Sequence, residues 1–490
     1  MILNIADMTC TERFIRKLLI CGLLLTGCSI VQHPLPEQSA SPDACRSLFL
    51  SSNKAIEDAG VRDAGSHLLP GFPYLRTTRF YASFRDQVDN DKQFSTWVGQ
   101  LARLDVEART AELLNLPSTD RPDPGGKLEQ RLNDCRIKLL KADTKLPASR
   151  EKLRKNAQVP DDYLTWQRII GLYPLTSLFV SAGIVRWHNE ERLNYATPSD
   201  KLPIHGNLVR WSSQRNPPLT SGQVQEILQQ SVDPLGIPGP DAGDLDKLFN
   251  TFAPTWEVDV VDNNDQIGSP KWLDGKLSVD TGHPSVFHEV SYARLNGKIL
   301  LQLNYIIWFP ARASHDIYGG IFDGINWRVT LGRDGKPWMY DSIHNCGCYQ
   351  KFFPGRHLRL RSDLPTMYFE KPLVPQAAPE NDQIVLRIAH MTHYIQRLVY
   401  LENPQSTRAM AWHDYNELRA LPAASGHRSI FNANGIVSGS ERSERFILWP
   451  MGVRSSGAMR QWGKHNTAFV GKRHFDDPNL IESLFDQVEP

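Results

Sequence analysis

The stretch VFHEVSYARLNGKILLQLNYIIWF, residues 286–309, indicates the fold more strongly than any other part of the sequence. Its residues suit β-strands, and Asn296-Gly297 at its centre is typical of a two-residue hairpin turn. Such a turn fixes the register, so Glu289 should face Asn304, and His288 should lie beside Tyr305 on the apolar face. The stretch therefore predicts an antiparallel hairpin with one core face.

A second hairpin is predicted in INWRVTLGRDGKPWMYDSIH, residues 325–344, around Asp334-Gly335. The same reasoning pairs Arg328 with Asp341 and Ile325 with His344. TWEVDVV (255–261) is also a predicted strand. QIVLRIAHMTHYIQRLVYL (383–401) could be a strand or a helix, and its β-branched and aromatic residues favour a strand. RAMAWHDYNELRAL (408–421) is predicted to be a helix capped by Ser406 or Thr407. The second half of the chain should thus be mainly an antiparallel β domain.

The first half is predicted to be helical. Segments such as ARLDVEARTAELLNL (102–116) place apolar residues three and four positions apart. We expect a helical domain at 44–195, a linker with a small helical section at 196–252, and an antiparallel β domain with helical insertions at 253–490. The fold class is therefore α+β, and the length of 490 residues suggests more than one domain.

IIGLYPLTSLFVSAGIV, from Ile169 to Val185, is the most apolar stretch after the first thirty residues. At seventeen residues, with Pro174 inside it, it is short for a helix that crosses a bilayer. We predict a buried core helix here, with contact to a membrane surface as the alternative.

The N-terminus has the order of a secretory signal peptide: Arg13, Arg16 and Lys17, then an apolar run from Leu18 to Thr26, then Gly27 and Cys28. Leu25-Thr26-Gly27-Cys28 resembles the lipobox of bacterial lipoproteins. The resemblance covers only this leader. It implies cleavage after residue 27, acylation of Cys28 (palmitate among the acyl chains), and, with Ser29 next, anchoring in the outer membrane facing the periplasm. Residues 28–43 would then be a flexible tether.

Charge and cysteine content agree with export. The chain has 55 basic and 54 acidic residues, and loss of residues 1–27 leaves 52 of each. This balance gives no basic footprint for nucleic acid. The expected partners are the membrane, through the anchor, and an envelope protein or cell-wall ligand. Of the seven cysteines, Cys45 and Cys135 are predicted to form a disulfide in an oxidising compartment.

His344, Cys346 and Cys348 fall at alternate positions in YDSIHNCGCYQ, residues 340–350. If the strand continues past His344, all three lie on its buried side, although Gly347 suits a bulge. Four interpretations stay open: a structural thiol pair or tight disulfide, a metal site, a thiol nucleophile, and a redox-active disulfide. The metal would be zinc, with a fourth ligand from His283, His288 or His393. No cofactor is otherwise indicated.

A thiol nucleophile needs a histidine to lower its pKa and a third group to orient that histidine. His393 or His465 could serve as the base, and Asp323 or Asp341 as the orienting group. His344, two positions from Cys346 on one strand, is less well placed. This hypothesis would make the protein a hydrolytic enzyme.

Two further stretches of the sequence give weaker functional signals. Residues 456–478 gather cationic groups, among them Arg460, His465 and His474, and would form either an anion-binding loop or a solvated surface. Asp262-Asn263-Asn264-Asp265 is predicted to be a turn rather than a calcium loop, because it lacks spaced acidic ligands. The sequence thus favours a lipid-anchored binding or structural lipoprotein, with a hydrolase at His344, Cys346 and Cys348 as the alternative.

Overall fold

The structure is a computed structural model that describes residues 44–122, 127–379, 383–400 and 407–489. The predicted signal peptide, the tether and the acylation site Cys28 lie outside the described residues. All described residues belong to one compact unit, Asp43–Pro490. The predicted boundaries near residues 195 and 253 coincide with changes of secondary structure inside this unit.

Helices dominate the first part of the chain. They are α1 (Ala44–Asp58), α2 (Arg79–Ala82), α3 (Asp91–Asn115), α4 (Leu128–Asp143), α5 (Pro147–Asn156), α6 (Thr165–Ile170) and α7 (Tyr173–Ala196). A short hairpin of β1 (His67–Leu69) and β2 (Phe72–Thr77) interrupts them, which the sequence pattern did not predict. The Cys45–Cys135 disulfide joins α1 to α4, as predicted. A salt bridge from Arg46 to Asp143 runs beside it.

Two larger sheets form the second part. A short section comes first, with β3 (Asn207–Ser212), α8 (Ser221–Gln230) and α9 (Ala242–Thr251). Thr220 caps α8 through a capping box with Gln223. The strands that follow are β4 (Thr255–Val260), β5 (Ser269–Leu273), β6 (Lys276–Asp280), β7 (Ser285–Leu295), β8 (Lys298–Arg312), β9 (Gly320–Leu331), β10 (Pro337–His344), β11 (Lys351–Pro354), β12 (Leu358–Leu360), β13 (Val385–Ile388), β14 (Ile395–Val399), β15 (Thr407–Ala409), β16 (Ala411–Asp414), β17 (Leu421–Ala423) and β18 (Gly426–Arg428). Helices α10 (Arg445–Leu448) and α11 (Leu480–Leu484) and strand β19 (Phe485–Gln487) end the described chain.

The six-stranded sheet has the order β11-β10-β9-β8-β7-β16, and the five-stranded sheet the order β14-β13-β4-β3-β15. Most neighbouring strands are antiparallel, and β16, β13 and β15 join their neighbours β7, β4 and β3 in parallel. The largest core cluster contains side chains of both sheets, including Trp256 and Trp327. Helices in the first part and these sheets in the second confirm the α+β class.

Both predicted hairpin registers are confirmed. Glu289 pairs with Asn304, and His288 with Tyr305. Ile325 pairs with His344, and Arg328 with Asp341. The last two side chains form a buried salt bridge of 2.6 Å. The polar face of this sheet is covered as well: Asn304 and Thr330 are fully buried. Arg328 donates to the Phe475 carbonyl.

Two local predictions are wrong. Residues 408–421 form the edge strands β15 and β16 and a 3-10 turn (Tyr415–Arg419) instead of a helix, because pairing with β3 and β7 outweighs the local helical pattern. Residues 169–185 are helical, but they do not form a core helix. Leu175, Leu178 and Phe179 are exposed, and the buried stripe of α7 is Ser177, His188, Glu191 and Tyr195. None of the described helices is both long and apolar enough to cross a bilayer.

Candidate functional site

A fully buried carboxylate, Asp323, is the hub of the site. Its Oδ1 lies 3.3 Å from His344 Nδ1 and 3.4 Å from Arg442 Nη2, and its Oδ2 lies 3.0 Å from His393 Nδ1. Burial alone would raise the pKa of Asp323, but Arg442 and His344 hold it well below the usual range. An ionised carboxylate only accepts hydrogen bonds, so both histidines donate to it through Nδ1.

Four separate segments bring these groups together. Asp323 lies in β9, and His344 is the last residue of the neighbouring β10. His393 comes from the connection between β13 and β14 of the other sheet, and Arg442 from the segment before α10. The hub therefore exists only when the two sheets and this later segment are assembled.

The backbone around the hub is strained. Of the nine non-glycine residues with positive φ in the described chain, four lie beside these groups: Phe322, Tyr349, Met391 and His393, with φ between 53° and 61°. A side chain in this left-handed region costs about 1–3 kcal/mol, and such residues concentrate at functional sites. The strain supports treating this cluster as the functional site.

His393 lies between two carboxylates. Phe309 stacks on its ring at 3.9 Å between centroids, and its Nε2 lies 3.5 Å from Asp265 Oδ1. Burial lowers the pKa of His393, but the two carboxylates outweigh burial and raise it above the usual value. In return, the nearby His393 ring and main-chain N–H groups lower the pKa of Asp265 to about 2, against the effect of burial. This arrangement links the two sheets.

His344 is held neutral. Burial, the largest influence, lowers its pKa despite the adjacent Asp323. Because Nδ1 donates to Asp323, Nε2 is the unprotonated nitrogen of the neutral ring. The rings of Tyr349 and Tyr394 lie 5.0 and 5.6 Å from it. His344 thus has the orientation and protonation state of a general base at neutral pH.

Arg312 lies beside His344 in what we call the tyrosine cup, formed by Tyr318, Tyr349 and Tyr394. Its Cζ is 5.7, 5.5 and 5.2 Å from the three ring centroids. Only 4% of Arg312 is exposed, and Tyr318, at 36%, is the most exposed wall of the cup. Nη2 donates to the Tyr394 hydroxyl at 3.4 Å, while Nε and Nη1 have no hydrogen-bond partner among the described residues.

The Arg312 guanidinium stays charged in this setting. Burial works to lower its pKa, but Tyr349, Tyr394 and Asp323 raise it instead. No ion pair neutralises Arg312 within the described chain, because Asp323 is paired with His344, His393 and Arg442. A buried cation with unpaired N–H groups is costly and needs an explanation.

Cys346 and Cys348 are free thiols. The chain turns directly after His344, where the His344 amide donates to the Cys348 carbonyl at 3.0 Å. Gly347 takes a φ of 90°, and a Cβ there would lie 2.8 Å from the Asn466 carbonyl oxygen. The predicted alignment of all three side chains along one strand is therefore wrong, since β10 ends at His344.

The two thiols affect each other's pKa. Cys348 and the nearby Arg442 lower the pKa of Cys346, against the effect of burial. Cys346 and burial raise the pKa of Cys348. Among the described residues, neither thiol has a hydrogen bond to the ring of His344, or to those of His393 and His465, the two predicted bases. His393 bonds to Asp323 instead. The hydrogen bond by which a histidine activates a thiol nucleophile is therefore not found in the described part of the chain.

Glu444 adds a second acid-base group beside the thiols. It is 3% exposed, and burial raises its pKa to about 7, with Arg442, Arg312 and Arg460 acting in the opposite direction. A carboxyl with this pKa can take up or release a proton at neutral pH. The site thus combines a neutral base, a near-neutral acid and an unpaired cation.

The other predicted histidines do not join this cluster. His288 is packed among Phe249, Tyr305 and Trp412, and burial lowers its pKa to about 3. His283 is exposed and bonded to Asp280. Among the described residues, no group of three or more His, Cys, Asp and Glu side chains is arranged to hold a metal ion. A zinc site therefore finds no ligand set in the described part of the chain.

The cationic segment 456–478 is not the solvated surface that the sequence suggested. Arg460, His465 and Arg473 are buried. Arg460 donates to the carbonyls of Cys346 and Ser455, and burial lowers the pKa of His465 to about 3. His474 lies 3.7 Å from Asp161 and packs against Tyr163. Contacts within the chain thus hold the Arg460 side chain, whereas His465 Nδ1 and His474 Nε2 are buried without a hydrogen-bond partner among the described residues.

Sequence reasoning named Asp323, His344 and His393 but missed Asp265, Arg312, Arg442 and Glu444. Asp265 ends the acidic turn 262–265, where its carboxylate accepts from the Met391 amide at 2.7 Å. Arg312 ends a long strand and Arg442 lies in a polar segment, and neither position carries a local signal. Their role arises only from tertiary contact.

Comparisons with known protein families, curated proteins and solved structures give no match for this chain.

Proposed function

We propose that this protein is a lipid-anchored lipoprotein of the cell envelope that binds an anionic group in the tyrosine cup. The observation that carries this proposal is Arg312, a buried cation with two unpaired nitrogens and no ion-pair partner in the described chain. An anion in the cup would supply the missing acceptor and charge.

The chemistry of the cup supports an oxyanion. Hydrogen bonds between a guanidinium and a carboxylate or phosphate are about twice as strong as neutral ones, and low dielectric strengthens them further. The hydroxyls of Tyr349 and Tyr394 are additional donors, and burial keeps both protonated by raising their pKa values, to about 12 for Tyr394. The ligand class is therefore a carboxylate or phosphate group of an envelope molecule.

The anchor is proposed from the lipobox-like sequence that ends at Cys28. We expect the mature chain to begin at Cys28, to carry acyl chains there, and to face the periplasm from the outer membrane. Intact mass spectrometry of the membrane fraction tests this part. A mature mass without acyl chains on Cys28 would refute it.

Anion binding is tested by calorimetric titration with inorganic phosphate and with acetate at constant ionic strength. We expect the chain to bind one of these probes, and Arg312→Met to abolish the heat of binding. Arg333→Met is the matched control, because Arg333 is an exposed arginine in the turn between β9 and β10. Equal binding by the wild-type and Arg312→Met chains, or no binding of either probe, would refute the proposal.

A hydrolytic enzyme is the second candidate function. The Asp323–His344 contact and the near-neutral pKa of Glu444 favour it, since together they would supply a base and an acid. In this version the cup would position an anionic substrate, and His344 would activate water. His344→Gln should then abolish turnover while phosphate or acetate binding remains. Turnover that persists in His344→Gln would exclude His344 as the base.

A further inference from the structure

Helix α7 buries its polar stripe and exposes its apolar stripe, the reverse of an ordinary surface helix. Its buried stripe is polar: Glu191 forms a salt bridge with Lys351, and the Tyr195 hydroxyl donates to the Ile395 carbonyl at 2.7 Å. Its outer stripe is apolar, and 81% of Phe179 is exposed. A surface helix normally buries its apolar stripe, so this face indicates an apolar partner.

Neighbouring helices extend the exposed apolar stripe. We define the apolar face by the exposed side chains of Ile169 in α6, Leu175, Leu178 and Phe179 in α7, and Phe446 and Ile447 in α10. Residues 449–451, which follow α10, pack against α6 and α7: Arg168 donates to the Met451 carbonyl, and Pro450 fills the space beside Gly171. The three helices therefore present one supported surface rather than isolated side chains.

The charges around this face select its partner. Residues 163–189 and 445–459 contain four charged residues, and all four are arginines: Arg168, Arg186, Arg445 and Arg454. Glu190, the next residue after the first segment, pairs with Arg186 at 2.9 Å and leaves the other three arginines as the excess charge. An apolar surface edged mainly by cations matches a membrane with anionic head groups. A second copy of the same face would bring these cations together, which disfavours self-association.

The dimensions favour a helix that lies along the membrane. The apolar part of α7 with its cap, residues 172–185, is about 21 Å long at 1.5 Å per residue, against a hydrocarbon core of about 30 Å. The proposed anchor at Cys28 lies sixteen residues before Ala44, a reach of at most about 55 Å. A chain held at that distance meets the bilayer surface repeatedly.

We infer that the apolar face lies in the interface of the bilayer that carries the lipid anchor. This inference rests on the proposed envelope location, and it adds a second membrane contact. The same contact sets the position of the tyrosine cup. Trp187 follows the apolar part of α7 and lies 5.4 Å from Tyr349, while Arg442 and Glu444 directly precede α10. The cup therefore lies beside the membrane surface, within reach of anionic groups there.

The test uses residues 29–490, secreted behind a cleavable leader, so that binding reports the face and not the anchor. This chain contains the whole compact unit. Flotation with vesicles of phosphatidylethanolamine and phosphatidylglycerol at a 3:1 ratio should recover it with the lipid. Phe179→Asp and Phe446→Asp should each reduce binding about tenfold or more. Ile137→Asp, which changes an exposed apolar residue of α4, is the matched control and should bind like the unaltered chain.

Three results would overturn the inference: no flotation of the unaltered chain, equal flotation of the Phe179→Asp variant, or a dimer in solution that Phe179→Asp dissociates. The last result would assign the face to a second copy. Since this chain lacks Cys28, failure of acylation in the mass measurement leaves the flotation result unaffected. The two proposals can therefore fail separately.

Discussion

Replacing Asp323 with asparagine should strongly destabilise the protein. The change keeps the shape of the side chain and removes its charge, so no cavity contributes. Arg442, only 2% exposed, then loses its carboxylate partner at 3.4 Å. His393 loses the closer of the two carboxylates that flank it. Removing one partner of a buried ion pair typically costs about 3–5 kcal/mol. We therefore expect Asp323→Asn to lower the free energy of unfolding by about 3–5 kcal/mol at pH 7.

The assay is urea unfolding followed by tryptophan fluorescence, compared with a matched aspartate in an exposed pair. Asp58 pairs with Lys54 at 2.7 Å, and the two side chains are 62% and 75% exposed. Asp58→Asn should therefore cost no more than about 1 kcal/mol. If Asp323→Asn costs as little as Asp58→Asn, the buried carboxylate does not hold the cluster together, and the argument for a preorganised site fails.

Three further predictions concern titration, the disulfide and the thiols. The raised pKa of His393 contributes stability that is complete below pH 6.5 and is lost as the pH rises through its higher folded pKa. The difference in unfolding free energy between the wild-type chain and His393→Asn should therefore shrink above pH 6.5, and a difference that grows there would contradict the assignment. Cys135→Ser removes a disulfide between residues 90 positions apart, so it should lower the free energy of unfolding by roughly 4 kcal/mol in the same urea assay. A wild-type chain whose unfolding free energy is unchanged by dithiothreitol would contradict this prediction. Residues 29–490 should show two thiols to Ellman's reagent in urea and none that reacts rapidly when folded. No thiol in urea would contradict this and would mean that Cys346 and Cys348 pair with each other.

Much of the β architecture follows from local sequence. Asn296-Gly297 and Asp334-Gly335 specify tight turns, and each turn fixes the partners along its strands. For this reason the Arg328–Asp341 and Ile325–His344 pairs could be predicted before the sheet was known. Apolar periodicity in residues 102–116 likewise predicted helix α3, and the expected oxidising compartment predicted the Cys45–Cys135 disulfide.

Local sequence fails where tertiary contacts decide. The β15 and β16 segment has a helical pattern, yet its main chain completes the edges of two sheets. Helix α7 was expected in the core because its residues are apolar, but Glu191 and His188 on its other side are the groups that face the protein. Periodicity identifies two faces of a helix and does not say which one is covered.

The candidate site shows the same division. The alternation of His344, Cys346 and Cys348 drew attention to the segment that carries His344. Asp323, named as one possible orienting carboxylate, lies beside His344 and His393 in the structure. Arg312 and Glu444 reach it from distant segments, so no spacing rule predicts them. Burial and charge, rather than spacing, reveal Arg312 as the least compensated group of the cluster.

The most direct test of anion binding in the tyrosine cup is anomalous diffraction from crystals of residues 29–490 soaked in selenate, a tetrahedral oxyanion. The proposal predicts a selenium peak inside the cup, with oxyanion atoms within hydrogen-bond distance of Arg312 Nε or Nη1, and its loss in Arg312→Met crystals. Selenate found only at exposed cations, with the cup empty and Arg312 still unpaired, would contradict the proposal.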